Sequence, residues 1–136
     1  MFDIQKMMDA MSEMGRLERG NYHLTLGDAI DKLTVLDDPF MPIVFDNGSA
    51  PGEVDSYRGY YSDLAFEPTD KDRTVADVLA DLKAAKGATF NGYKGGDFVM
   101  GENTPLWAAP YGFCGPAVIG LTVIDGRCVL ATKEIA

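Results

Sequence analysis

The stretch Ser56-Tyr57-Arg58-Gly59-Tyr60-Tyr61-Ser62-Asp63 brings three phenol rings, one guanidinium and one carboxylate together in eight residues. Tyrosine offers a large, rigid contact area and keeps a hydroxyl for hydrogen bonding. An arginine side chain can pair with a phosphate or a carboxylate through two parallel hydrogen bonds. Gly59 permits either a positive φ or a close approach of a ligand to the backbone. We take this stretch as the recognition surface around which the rest of the chain is organised.

Two kinds of ligand and one structural alternative fit this composition. Rings around one cation suit a planar, anionic small molecule, or a hot spot for a protein partner. In the structural alternative, Tyr57 and Tyr61 alternate inward from a strand, because tyrosine is common in strands, and Arg58 pairs with Asp55 or Asp63. The stretch contains no catalytic signature.

Length and composition indicate a single globular domain over residues 1–136. A chain of 136 residues can bury a core without disulfides or a structural metal. No apolar run approaches the ~18 residues of a membrane span, and Met1-Phe2-Asp3-Ile4 lacks the pattern of a secretory signal. With two cysteines only, Cys114 and Cys128, a disulfide scaffold is not expected, which indicates a reducing cytoplasm.

The net charge of −9 argues against direct binding to nucleic acid, which requires clustered lysine and arginine. An acidic protein can instead imitate DNA. The acids here form short clusters such as Asp37-Asp38 and Asp70 with Asp72, and they do not form a stripe. Ordinary solubility explains such a distribution equally well.

Three helices are predicted. Residues 3–18 repeat apolar side chains at spacings of three and four, and the methionines among them suit docking of a partner or a second copy, or simple closure over the core. Residues 1–20 are therefore a candidate interaction or oligomerisation element. Two further helices begin after Thr25 and Thr74, each with an aspartate three residues later in a capping-box-like start. Their similarity indicates either an internal repeat of helix-then-strand units or independent convergence on a good helix start.

The predicted strands are short, and glycine and proline separate them. We expect a loop over Gly48–Asp55 and a charged connection over residues 67–72. Asp125-Gly126 predicts a two-residue type I′ turn between 117–124 and 127–132. The other predicted strands are Pro42–Phe45, Tyr61–Phe66, Ala88–Asn91, Asp97–Met100 and Leu106–Ala109. The expected fold is α+β, with about three helices packed on a mainly antiparallel sheet that ends in a C-terminal hairpin.

Two more segments are candidates for ligand contact. Gly92-Tyr93-Lys94-Gly95-Gly96 can contact phosphate through its amides and Lys94, although the P-loop spacing is absent and the segment also fits a plain turn. Trp107 and Tyr111 form a second aromatic group suited to stacking on a base, unless Trp107 simply anchors the core.

No catalytic residue, metal or cofactor is predicted. One histidine, His23, and two distant cysteines cannot assemble a zinc site. A nucleophilic pair of Cys114 with His23 would need a third group to orient the imidazole, and nothing in the sequence indicates one. Cys128 lies in an alternating strand pattern that places it in the core.

Three motifs are similar to those of a group of small proteins encoded by tailed bacteriophages. The motifs are S-Y-R-G-Y-Y-S-D-L-A at 56–65, G-Y-K-G-G-D at 92–97 and T-P-L-W at 104–107. The resemblance extends over approximately residues 25–125 and supplies no functional residues. It implies phage origin and the host cytoplasm, and small acidic phage proteins are often inhibitors of bacterial immunity.

The leading hypothesis is a phage anti-defence protein that acts by stoichiometric binding and sequesters a nucleotide-derived immune signal. The alternative is a protein–protein inhibitor of a host nuclease or CRISPR effector, such as an anti-CRISPR or an acidic DNA mimic. The expected partners are a nucleotide-type small molecule or a host defence protein, without direct binding to nucleic acid or membrane, and the chain is expected to form a homo-oligomer. The predicted ligand-binding residues are Tyr57, Arg58, Tyr60, Tyr61, Lys94, Trp107 and Tyr111.

Overall fold

The computed structural model of the chain describes residues 22–91, 96–109 and 115–134. The predicted helix over residues 3–18 therefore lies outside the described residues. The described helices are α1 (Leu26–Thr34) and α2 (Val75–Ala85). The described strands are β1 (Ile43–Phe45), β2 (Ala50–Ser56), β3 (Leu64–Thr69), β4 (Thr89–Asn91), β5 (Asp97–Val99), β6 (Leu106–Ala108), β7 (Ala117–Ile124) and β8 (Arg127–Lys133).

Both predicted helix starts are confirmed. The hydroxyl of Thr25 accepts a hydrogen bond from the amide of Asp28 at the start of α1. At the start of α2 the box is complete, because Thr74 accepts from the amide of Asp77 and the Asp77 carboxylate accepts from the amide of Thr74. These hydrogen bonds hold the pKa of Asp77 below its usual value.

The predicted sheet was wrong. The six main strands form one mixed sheet in the order β1-β8-β7-β6-β3-β2, and β4 and β5 form a separate two-stranded sheet. Two neighbouring pairs, β1 with β8 and β3 with β6, are parallel. The fold is therefore a two-helix, eight-strand α+β arrangement in the described residues, and not three helices on an antiparallel sheet. Parallel pairs join strands that are distant along the chain, which local patterns cannot predict.

The predicted C-terminal hairpin is confirmed. β7 and β8 pair antiparallel around Asp125 and Gly126, whose φ values are 50° and 76°, as a type I′ turn requires. On the far side of β8 lies β1. Because β1 and β2 are the two outer strands of the sheet and are joined by the short turn 46–49, the sheet curves until its edges approach each other.

The boundaries of β2 and β3 differ from the prediction. The expected loop over Gly48–Asp55 is mostly strand β2, and its Pro51 and Gly52 are buried. An edge strand tolerates proline because one side of its backbone needs no ladder partner, and a register shift between Pro51 and Val54 absorbs the irregularity. β3 begins at Leu64 and extends through Thr69, so part of the predicted charged connection also belongs to the sheet.

The sheet buries side chains on both faces. Because successive residues of a strand point to opposite faces, Leu64 and Phe66 of β3 join the larger apolar core with α1 and α2, while Ala65 between them faces the other way. The second face carries a smaller cluster of Tyr57, Ala65, Trp107, Ala109 and Ala117. Within the described ranges, no helix has the length and apolar character needed to cross a membrane.

Candidate functional site

The predicted recognition stretch is the connection between β2 and β3. Ser56 pairs with Leu64 at the end of the antiparallel ladder, and residues 57–63 form the hairpin loop. The Tyr57 amide donates to the Asp63 carbonyl at 2.9 Å, and the Asp63 amide donates to the Tyr60 carbonyl at 2.8 Å. The Ser56 hydroxyl donates to the Tyr61 carbonyl at 2.5 Å. Backbone hydrogen bonds thus give this loop a defined conformation.

The centre of the site is a stack of two rings. Tyr57 and Trp107 lie with their ring centroids 4.3 Å apart and their planes 9° from parallel. Trp107 comes from β6 and is paired with Ala65 of the neighbouring β3. Small side chains at Ala65, Ala109 and Ala117 leave room for the two rings on this face of the sheet. The stack exists because a parallel strand pair brings Trp107 beneath the hairpin loop.

The polar atoms of the stack have partners inside the protein. The Tyr57 hydroxyl accepts from the Gly115 amide and donates to the Gly115 carbonyl, each at 3.2 Å. The Trp107 indole N–H donates to the Asp63 carboxylate at 2.9 Å. Asp63 is fully buried, and a hydrogen bond shielded from water is stronger than the same bond in solvent. These contacts fix the orientation of both rings.

Gly59 is needed because the loop folds onto its own tyrosine. A Cβ atom at this position would lie 2.5 Å from Cε1 of Tyr57, closer than any side chain can approach. The two roles expected for Gly59 were a positive φ and a close approach of a ligand, and the structure shows a third, a close approach of another part of the chain. The group that comes close is the ring of Tyr57.

Tyr60 forms the exposed end of the aromatic cluster. Its ring centroid lies 5.9 Å from that of Trp107 and 6.3 Å from that of Tyr57, and 49% of the residue is exposed. Tyr57 and Trp107, in contrast, are 3% and 4% exposed. Arg58 and Tyr61 are partly buried. The surface of the loop is therefore made by Arg58, Tyr60 and Tyr61 over a base of buried rings.

Two residues of this cluster escaped sequence reasoning. His23 packs its ring edge-on against Trp107 at 4.4 Å and is 7% exposed, although it lies far from Trp107 along the chain. Asp63 was noted as an acid of the stretch but not as the acceptor for an indole. A tryptophan with small neighbours on a short strand signals a need for a polar partner, but that signal does not say which residue supplies it.

The remaining predicted residues have different outcomes. Three of the predicted aromatic residues, Tyr57, Tyr60 and Trp107, are brought together. Lys94 and Tyr111 lie outside the described residues, and so does Cys114. Cys128 is buried in the main core as predicted, and burial raises the pKa of its thiol to about 11. In the part of the chain that the structure describes, no group of three or more His, Cys, Asp or Glu residues could hold a metal ion.

A separate cleft of about 280 Å³ lies near the turn between β1 and β2 and the start of α2. The described residues that line it include no aromatic ring. The Arg73 guanidinium in its wall is committed to the Asp81 carboxylate and the Pro51 carbonyl. Tyr57, Tyr60 and Trp107, three of the rings predicted to contact a planar ligand, thus lie at the hairpin loop and not in this cleft.

Comparison of the chain with protein-family models, with curated proteins and with solved structures finds no match. The support for a function therefore comes from the geometry of the loop and from the motifs of the sequence.

Proposed function

We propose that this protein is a phage-encoded anti-defence protein of the host cytoplasm that acts by stoichiometric binding, and that it captures a nucleotide-derived immune signal at the hairpin loop 57–63. The phage origin rests on the motifs at 56–65, 92–97 and 104–107. The binding role rests on one observation. Tyr60 is half exposed at the end of an aromatic cluster whose other rings are fixed inside the protein.

The fixed rings favour binding because they lower the free energy that is lost to ordering the loop when a ligand binds. Tyr57 and Trp107 hold the loop in place through their stacking and through their hydrogen bonds to Gly115 and Asp63. A ligand that meets a loop already held in one conformation loses less free energy to ordering. In this proposal the base stacks on Tyr60, and Tyr57 with Trp107 support that ring without contacting the ligand face-on.

Arg58 supplies the charge in this proposal. It lies two residues before Tyr60 in the same loop and is partly exposed. A guanidinium can bind a phosphate through two parallel hydrogen bonds. The loop therefore contains a ring and a cation within three consecutive residues, the two kinds of group that recognise the base and the phosphate of a nucleotide.

The experiment is isothermal titration calorimetry of the full chain with a panel of cyclic dinucleotides and ADP-ribose-type nucleotides. We expect binding to the wild type and a loss of about 5- to 150-fold in affinity for Tyr60→Ala, because base stacking on one ring contributes about 1–3 kcal/mol. Tyr60→Phe keeps the ring and should keep the affinity. Phe40→Ala is the matched control, since it removes an exposed ring from the α1–β1 connection.

Absence of heat with every member of the panel would exclude the nucleotide form of the proposal. Equal nucleotide affinities of the wild type and Tyr60→Ala would show that the binding site does not lie at the hairpin loop. Arg58→Ala should weaken nucleotides more than the corresponding nucleosides, and equal weakening of both would remove the phosphate role of Arg58.

A second candidate function is a protein–protein inhibitor of a host nuclease or CRISPR effector. The α1–β1 connection favours it, because Val35 and Phe40 are both 76% exposed beside Asp37 and Asp38. The Asp38 carboxylate accepts from the Phe40 amide at 2.9 Å and so fixes the turn that exposes the ring. An apolar side chain rimmed by acids fits a partner with a basic surface.

A salt-dependent pull-down from host lysate distinguishes this candidate from the first. If it is right, Phe40→Ala and Asp37→Lys should both lose a basic, nucleic-acid-binding partner, while Tyr60→Ala retains it. Asp38→Asn keeps an acceptor for the Phe40 amide and removes only the charge, so a weaker capture by this variant would show that the acids around Phe40 contribute. This candidate function is excluded if the proteins captured from the lysate do not change with Phe40→Ala or with charge reversal at Asp37, Asp70 and Asp72.

A further inference from the structure

Strand β7 is much longer than the strand beside it. β6 has three residues and pairs with β7 only at Trp107 and Ala117. The amide of Leu24 extends the ladder by one bond to the Val118 carbonyl at 2.8 Å. Beyond that point, from residue 120 to 124, no residue in the described ranges forms a ladder with the edge of β7 that faces away from β8.

We call this the open edge of β7, because no described residue pairs with it there, and the type I′ turn determines which backbone groups face it. Ile124 and Arg127 close the hairpin as the pair that flanks Asp125 and Gly126. In an antiparallel ladder the bonded groups alternate between the two sides of a strand. Ile124 and Thr122 therefore point their N–H and C=O groups toward β8, and Leu121 and Val123 point theirs toward the open edge.

The side chains along this edge are uncharged and, apart from Thr122, apolar. β7 reads Ala-Val-Ile-Gly-Leu-Thr-Val-Ile and contains no acid, base or proline. Its Ile119, Val123 and Ile124 are 38%, 45% and 50% exposed. Natural proteins usually guard an edge strand with charge, proline or a cover, because an open edge is a template for pairing with another chain.

We propose that the open edge of β7 pairs antiparallel with β7 of a second copy of this chain, with the two-fold axis at Thr122. In this register Leu121 of each copy faces Val123 of the other, and each pair exchanges both of its backbone hydrogen bonds. The surface is self-complementary, as an isologous dimer requires.

The side chains fit the same register. Residues 120, 122 and 124 share one face of β7, so Ile124 of each copy lies beside Gly120 of the other. A Cβ atom at Gly120 would meet no described atom within 4 Å, which leaves open space for the exposed isoleucine. The two Thr122 side chains lie opposite each other at the axis, a favourable cross-strand pair.

The absence of charge on β7 allows a second copy as the occupant. The chain carries a net charge of −9, so most orientations of two copies bring acids together. The β7 edge is a long strand that contains no acid, and Asp125 is the first acid after it. Two copies can pair along this edge without placing like charges directly opposite each other.

The first test is sedimentation velocity over a range of concentrations, with three variants. The wild type should sediment with the mass of two chains. Thr122→Lys places two ammonium groups opposite each other at the axis and should raise the dimer dissociation constant by about tenfold or more. Thr122→Val should remain dimeric, and so should Thr89→Lys, which puts the same change on an exposed residue of β4. A monomeric wild type, or a Thr122→Lys dimer of unchanged affinity, overturns the proposal.

The second test is hydrogen exchange, which identifies the surface and not merely the mass. The amides of Leu121 and Val123 should gain protection as the concentration rises, while those on other exposed segments do not change. Val123→Pro removes one of these donors from the open side of the strand without removing a bond to β8, and it should give a folded monomer by circular dichroism. A dimer in which these two amides exchange freely uses another surface and overturns the proposal.

Discussion

The two hairpins of the main sheet differ in where they place their large side chains: the β2–β3 hairpin buries one in its loop, and the β7–β8 hairpin exposes two beside its turn. The β2–β3 hairpin ends in the loop 57–63, which turns one of its three tyrosines inward, where Tyr57 stacks on Trp107. The β7–β8 hairpin ends in a two-residue turn and holds Val123 and Ile124 outward, 45% and 50% exposed. The first loop is fixed by buried side chains as well as by backbone hydrogen bonds, while the second is a two-residue turn fixed by its backbone.

The difference shows what each hairpin can recognise. A loop held by buried rings can present a few functional groups in fixed positions, which suits a small ligand, and in the proposal these groups are Arg58 and Tyr60. A strand held only by its neighbour presents a row of N–H and C=O groups, which suits another strand. The proposed nucleotide site and the proposed dimer edge both derive from this contrast.

The largest expected effect is at Tyr57. Tyr57→Ala should lower the free energy of unfolding by about 3–5 kcal/mol, because it removes a buried ring and leaves a cavity against Trp107. Tyr57→Phe keeps the stack and loses the hydrogen bonds to Gly115, which should cost about 1 kcal/mol. Urea unfolding at a concentration where the chain is monomeric measures both. Ile124→Ala in the exposed β7–β8 hairpin should have a free energy of unfolding within about 0.5 kcal/mol of the wild type. Equal losses of unfolding free energy in Tyr57→Ala and Ile124→Ala would contradict the contrast between the two hairpins.

Local signals predicted the second hairpin better than the first. Asp125-Gly126 fixes a type I′ turn within two residues, and the caps at Thr25 and Thr74 act over three residues. The similarity of α1 and α2 ends with the helices themselves, because α1 leads into β1 of the large sheet and α2 leads into β4 of the small one. The idea of an internal repeat thus finds no support in the pairing of these strands.

The first hairpin depends on contacts that no local pattern contains. Pro51 and Gly52 disfavour a strand by propensity, yet an edge position with a bulge accommodates them. Tyr57 is buried because β6 lies parallel to β3 and places Trp107 beneath it. The tyrosine-rich composition was visible in the sequence, but which rings face inward was not.

Replacing one glycine in each hairpin should change the stability by a smaller amount, and for a different reason in each hairpin. Gly59→Ala should cost about 1–3 kcal/mol, because a side chain there must displace the ring of Tyr57. Gly126→Ala should cost about 1 kcal/mol for a different reason, since φ at Gly126 is 76° and a Cβ there would meet no described atom within 4 Å. Asparagine tolerates a left-handed backbone, so Gly126→Asn should recover most of the loss. Gly59→Asn should recover none of the stability lost in Gly59→Ala. Thermal unfolding measures all four variants. If asparagine restores stability at both positions, Gly59 acts through its backbone angle and not through the space that the Tyr57 ring occupies.

The smallest effect concerns how the second hairpin is fastened to the rest of the sheet. The carboxylate of Asp46, in the turn between β1 and β2, accepts from the Thr132 amide at 2.9 Å and from the Thr132 hydroxyl at 2.7 Å. These two hydrogen bonds hold the pKa of Asp46 below its usual 3.8. A lowered pKa in the folded state stabilises the fold above the unfolded-state pKa, and this contribution is lost as the pH falls through the folded pKa.

Asp46→Asn therefore tests the link through its pH dependence. At pH 7 the variant should be less stable by under about 1 kcal/mol, because Asp46 is largely exposed to solvent and screened. The difference from the wild type should shrink as the pH falls below about 3.8, where the carboxyl is protonated first in the unfolded chain and, at lower pH, in the folded protein, where it then resembles the amide. In a Thr132→Val background the difference at pH 7 should already be reduced, because the hydroxyl donor is gone. A gap that stays constant between pH 7 and about pH 2.5 would mean that Asp46 acts through its turn and not through its charge, and β8 would then be fastened to the sheet by its ladders alone.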